Sequence, residues 1–103
     1  MIFGTWKNAT ISKGAAKTSE IDLGRDYDYI QVQLPTMDMG TLNVETAELT
    51  GGTFRALDPT FLIPENEGNF HDTWEIGGYQ FIKVVSSAPQ SQARTLRVRG
   101  ARE

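Results

Sequence analysis

Apolar residues in this sequence recur at every second position and almost never at helical spacing, and that pattern excludes most folds. In Tyr29-Ile-Gln-Val-Gln-Leu34 the side chains of Ile30, Val32 and Leu34 share one face, because successive side chains of a strand point to opposite sides. Glu20-Ile-Asp-Leu23 alternates in the same way, and so do Leu42, Val44 and Thr46. Near the C-terminus Leu96 and Val98 point inward, with Thr95, Arg97 and Arg99 outward. Ala9-Thr10-Ile11, Thr53–Leu57 and Trp74-Glu75-Ile76 read as further short strands. Tyr79–Val85 is the most apolar run, with Ile82 and Val84 on one face and Phe81 and Val85 on the other. Such a run predicts a central strand, or one lying beneath a loop. The spacing as a whole predicts an all-β fold, a single-domain antiparallel β-sandwich, jelly-roll-like, of about eight short strands.

Local breakers divide these runs. Gly24 ends the second alternating segment, and Pro35 ends the strand at Leu34 because proline lacks a ladder donor. After Thr46 the apolar parity shifts to Ala47 and Leu49, which predicts a β-bulge, since one extra residue flips every later side chain. Gly51-Gly52 and Gly77-Gly78 read as hairpin turns. Neither opens a helix or precedes a lysine, so the hairpin reading is favoured over a phosphate loop. Two segments read as loops: Ser87–Ala93, which is polar, and Asp58–Asp72, which carries Pro59, Pro64, Gly68 and four acidic residues. A loop of that length inside a small domain is usually functional or disordered.

A length of 103 residues bounds the chain to one domain. Residues 1–8 read as an N-terminal arm and residues 9–103 as the sandwich. The absence of cysteine excludes disulfides, thiol nucleophiles, Fe–S clusters and Cys-ligated zinc. One histidine, His71, leaves no two-His metal site. No stretch approaches the apolar length of a membrane span, and the N-terminus lacks the charged region of a signal peptide. A protein that stays in the cell that makes it is expected, and Asn8-Ala9-Thr10 then matches the glycosylation triplet by chance.

The net charge of −3 is the wrong sign for nucleic acid, but it is unevenly spread. Residues 1–72 hold five basic and 11 acidic side chains, net −6, and residues 73–103 hold five and two, net +3. Arg94, Arg97, Arg99 and Arg102 supply most of that final excess. Arg97 and Arg99 share the solvent side of one strand, which reads either as protection against edge-to-edge pairing or as a docking surface for an acidic partner. Phe61, Leu62, Ile63 and Phe70 lie amid acidic residues of the long loop, so they form a rimmed apolar patch or tuck back over the sandwich. Ile2, Phe3 and Trp6 of the arm raise the same pair of options, a partner contact or a first strand.

Catalytic and metal chemistry find little support. His71 stands beside Asp72, but neighbours on an extended chain diverge, and no nucleophile motif is present; His71 reads as an ordinary loop residue. Asp22, Asp26 and Asp28 fit no calcium loop, and Arg25 opposes a cation there. The chain reads as a non-enzyme without catalytic residues, metal or cofactor.

Several segments, taken in order, carry a resemblance. They are Ser19-Glu-Ile-Asp-Leu-Gly24, Tyr29, Ile30 with Leu34-Pro35, Thr41-Leu42, Gly51-Gly-Thr-Phe54, Phe81-Ile-Lys-Val-Val-Ser86 and Arg94-Thr-Leu96. Their order, over residues 9–99, resembles a family of small jelly-roll proteins encoded among the structural genes of tailed bacteriophages. The Pro64-Glu-Asn-Glu67 segment and the apolar arm depart from that family's pattern. The resemblance implies a virion structural protein, first of all a capsid decoration or cement protein that binds the assembled shell and stabilises it. Its partners would be the major capsid protein or other virion proteins, in many copies and with a homo-oligomer as an option, without nucleic acid or membrane. Its place would be the capsid exterior, after synthesis in the host cytoplasm without a signal peptide. A neck, tail or fibre-attachment component is the first alternative. A glycan-binding or host-attachment module is the second, with Trp6, Trp74, Tyr79 and Phe70 as candidate aromatics.

Overall fold

The computed structural model describes residues 2–58 and 61–103; Met1 of the arm and Pro59 of the long loop lie outside them. The strands are β1 (Ile2–Phe3), β2 (Lys7–Ile11), β3 (Ile21–Ala47), β4 (Arg55–Ala56), β5 (Ile63–Ser86) and β6 (Arg94–Arg102). All pairings are antiparallel. No helix long and apolar enough to cross a membrane occurs among the described residues.

The architecture rests on β3 and β5, which are long enough to serve two layers each. In the first layer β1 and β2 lie end to end along β6. β6 then pairs the middle of β3, from Tyr29↔Ala101 to Gln33↔Arg97, and β3 pairs the first half of β5, from Tyr29↔Glu75 to Leu34↔Phe70. In the second layer the other half of β5 lies between the two ends of β3, so that Ile82 faces Ile21 on one side and Thr46 on the other. β4 covers the outer edge through Glu45↔Ala56 and Thr46↔Arg55. The expected central strand at Tyr79–Val85 is therefore present, and the short strands of the sequence reading are joined into a six-stranded network folded on itself.

Alternation delivers the core between the layers. Ile30, Val32, Leu34, Trp74, Ile76, Leu96 and Val98 come from the first layer, and Ile21, Leu42, Val44, Ile82 and Val84 from the second; all are buried. Each aliphatic side chain buried in this way contributes roughly 1.5–3 kcal/mol.

Five local expectations are corrected. β3 runs through Pro35, because pairing with β6 has already stopped at Gln33 and proline falls where β3 has a neighbour on one side only. It also runs through Gly24, whose positive φ of 92° is absorbed as a bulge while its N–H donates to Asp22 Oδ1 at 2.8 Å. Residues 63–72 are strand and not loop, since they pair with residues 32–42 of β3. The bend there is made by Asn66, which accepts from Gly68 N–H and donates to Pro64 O, and by positive φ at Gly68 and Asn69. Finally, pairing passes from Thr46 to Ala47 without a slip, so the parity change marks the end of β3 and no bulge. Gly77-Gly78 is the bulge instead, a corner within β5 where a hairpin was expected.

The polar Ser87–Ala93 segment is a loop, as expected, and its order comes from Gln90, which is 1% exposed. Gln90 Oε1 accepts from Asp38 N–H and Arg94 Nε, and its amide nitrogen donates to Ala88 O. A buried amide with its groups satisfied fixes a loop; left unpaired, it would cost stability.

Candidate docking face

The outer surface of the first layer is built by the residues that alternate away from the core. Arg97 sits between Asn8 of β2 and Gln33 of β3, and Arg99 sits beside Gln31. Gln31 and Gln33 face Thr73 and His71 of β5 in turn. His71 is thus a strand residue on an exposed face, not a loop residue.

Aromatic side chains from the arm fold onto this surface. The Arg99 guanidinium lies 4.2 Å from the Phe3 ring centre and 4.6 Å from that of Trp6, and Arg97 lies 5.5 Å from Trp6. Arg99 Nε also donates to Gln31 Oε1 at 2.7 Å. Stacking of this kind is favourable by roughly 0.5–1 kcal/mol at exposed sites, and it holds both guanidinium groups against the arm. Neither group has a carboxylate partner among the described residues. Phe3, 46% exposed, extends the patch along the sheet edge, and Ile2, 60% exposed, stands opposite Arg102 on the other face of the layer. A hollow of about 360 Å³, walled by Trp6, Gln31, Gln33, His71 and Thr73, adjoins it.

The anchor of the arm is a close approach. A Cβ at Gly100 would stand inside the Tyr27 ring, and one at Gly4 would meet the Tyr27 hydroxyl at 2.6 Å. Gly4 N–H donates to Gly100 O at 2.8 Å. Only glycine at both positions lets the buried Tyr27 ring lie across the backbone that carries the arm.

The other candidate residues are placed elsewhere. Arg94 points into the loop region, where Nη2 reaches Asp38 Oδ1 at 2.6 Å. That contact and the Ser91 hydrogen bonds hold the Asp38 carboxyl below its ordinary range. Arg102 approaches Asp26 at 3.9 Å, apart from the Arg97/Arg99 pair. Phe61 packs edge-on against Trp74, with centroids 5.9 Å apart at 71°, and Ile63 and Phe70 lie against the core. Of that apolar group, Leu62 alone is strongly exposed.

The carboxylates weighed for chemistry are engaged separately. Asp72 accepts from Trp74 Nε1 at 2.9 Å and from Thr73 N–H, so it does not orient His71. Asp22 accepts from Gln80 and Gly24, which lower its pKa; Asp28 accepts from Glu103 N–H. No cluster of three metal-ligating side chains occurs among the described residues. Glu20 accepts from the Thr50 hydroxyl and Gly51 N–H, which lower its pKa and pin the 48–52 turn to the layer. Gln31, Gln33 and Thr73 were not singled out in the sequence; the alternation that marked Arg97 as outward marks them equally, but only the register shows them adjacent.

No family model matches the chain, and no curated protein matches it by sequence. Similarity to solved structures is clear. The SPBc2 prophage-derived protein YomS shares the fold over 97% of this chain and 95% of its own, with a TM-score of 0.59 and 13% identity. Chitosan-binding module 1 of a chitosanase/glucanase from Paenibacillus sp. IK-5 covers 89% of this chain and 75% of its own, with a TM-score of 0.57 and 10% identity. The chain therefore has an all-β, sandwich-like fold found in both a prophage-derived protein and a polysaccharide-binding module.

Proposed function

We propose that this protein is a non-catalytic virion component of a tailed phage, a decoration protein on the capsid exterior that binds the major capsid protein in many copies. One observation carries the reading. Phe3 and Trp6 of the arm and Arg97 and Arg99 of β6, separate in sequence, form one face of stacked cations and exposed aromatic edge. Guanidinium groups held in place without carboxylate partners are complementary to an acidic surface and lose little freedom on docking. The near-complete mutual coverage with a prophage-derived protein of similar size supports a phage setting. A protein that binds only the assembled shell stabilises it by mass action and needs no reactive site.

The test is copy number in purified particles by quantitative mass spectrometry. The proposal expects on the order of hundreds of copies, following the symmetry of the shell. A ring of about six or twelve copies would place the protein at the neck or tail, against the shell reading. Absence from particles would refute the virion assignment.

A further inference from the structure

The pairing of β3 with β5 slips at the corner between layers. Tyr29 faces Glu75 and Tyr27 faces Tyr79, so a step of two residues in β3 matches a step of four in β5. The surplus is Gly77 and Gly78, with φ of 72° and 96°, values that glycine adopts at little cost. A bulge re-aims the side chain that follows it, and here that side chain is Tyr79. Tyr79 is 40% exposed, and its side chain has no hydrogen bond or ring contact among the described residues.

Tyr79 stands between two hollows, of about 530 and 360 Å³, that share Tyr79 and Leu57 as walls. Glu48, Thr53 and Arg55 line the first, and Glu75 and Asp58 the second. The side chains of Glu48, Thr53, Arg55 and Glu75 make no hydrogen bond or ion pair with any other described residue. The other aromatics differ from Tyr79. Trp6 and Phe3 are stacked on arginines, Phe54 lies under Lys83, and Trp74 is buried.

An open ring flanked by hydrogen-bonding groups suits the flat apolar face and equatorial hydroxyls of a pyranose. The charge narrows the choice. The second hollow is acidic and the first is balanced between Glu48 and Arg55, so the groove favours a ligand that carries positive charge, and an aromatic face attracts cations as well. We propose that this groove binds a short oligosaccharide of amino sugars, one ring over Tyr79 and an ammonium group toward Glu75. The inference is independent of the shell-binding reading, because the groove and the arginine face share no residue.

Calorimetric titration of the full chain with a glucosamine oligomer, its N-acetylated form and a cellulose oligomer tests this. The glucosamine oligomer is expected to bind, about tenfold tighter than either control. Tyr79→Ala should weaken it about tenfold, and Tyr79→Trp should retain it. Glu75→Gln should weaken it and flatten its salt dependence. Arg97→Glu should leave it unchanged, and circular dichroism would verify that each variant is folded. No binding of the glucosamine oligomer, equal binding of the acetylated form, or full affinity in folded Tyr79→Ala would each overturn the proposal.

Discussion

The start and the middle of β6 carry the same residue type and put it to opposite uses. At Arg94 the guanidinium is mostly covered, closes on Asp38 at 2.6 Å and ties the Ser87–Ala93 loop through Gln90. At Arg97 and Arg99 the guanidinium groups lie on aromatic rings of the arm and meet no carboxylate among the described residues. A charge whose partner is already present stabilises the fold, and one that is held in place but unpaired is available to another molecule. Position relative to the neighbouring strands makes the difference. Arg94 lies beyond the pairing of β6 with β3, where loops can fold over it, and Arg97 and Arg99 lie on the open face of the layer.

The largest effect is expected where the arm that carries Phe3 and Trp6 is anchored. Gly100→Ala drives a methyl into the Tyr27 ring and should destabilise the protein by roughly 3 kcal/mol, the upper part of the range for overpacking. It should also release the arm, seen as fast amide exchange at Gly4. Unchanged stability would show that the arm is not locked as described.

Next in size is the effect at the start of β6. Arg94→Ala leaves Asp38 with Ser91 alone and should lower the thermal midpoint by several degrees, with new proteolytic cuts within 87–93. Equal midpoints would mean that the ion pair is ornamental.

The same pair has a pH signature. Because the Asp38 carboxyl titrates below its ordinary range when folded, its contribution is fully present above the unfolded pKa of about 3.9. It is lost as pH falls through the lower folded value. The midpoint difference between the native protein and Asp38→Asn should therefore hold at neutral pH and shrink below about pH 4. A difference that grows on acidification would contradict the assignment.

The smallest stability effect is expected in the middle of β6. Arg97→Glu and Arg99→Glu, each on an exposed strand face, should move stability by no more than about 1 kcal/mol. A larger change would make those residues structural, as Arg94 is.

Period-two alternation made much of this legible in advance. It identified the inward set Ile30, Val32, Leu34, Leu96 and Val98 and the outward set Arg97 and Arg99 correctly. Local signals misled where pairing partners decide the conformation. Pro35, Gly24 and Gly77-Gly78 look like strand ends, and within a strand that changes layers they are bulges and corners. Residues 63–72 lack an apolar rhythm because only one of their edges is paired and their side chains are largely exposed. The arginines were legible as a cluster but not as two groups, since no local feature of Arg94 announces Asp38, 56 positions earlier. Of the arm's two alternatives the structure shows the first strand, paired along β6, with Ile2 and Phe3 left exposed.

The most direct test of the proposed docking face is binding to capsid shells that lack this protein, comparing the native chain, Arg94→Ala and the double variant Arg97→Glu/Arg99→Glu at matched folded fraction. Full occupancy by the first two and loss of occupancy by the double variant is predicted, with native binding weakening as salt is raised. Full occupancy by the folded double variant would contradict the assignment of this face.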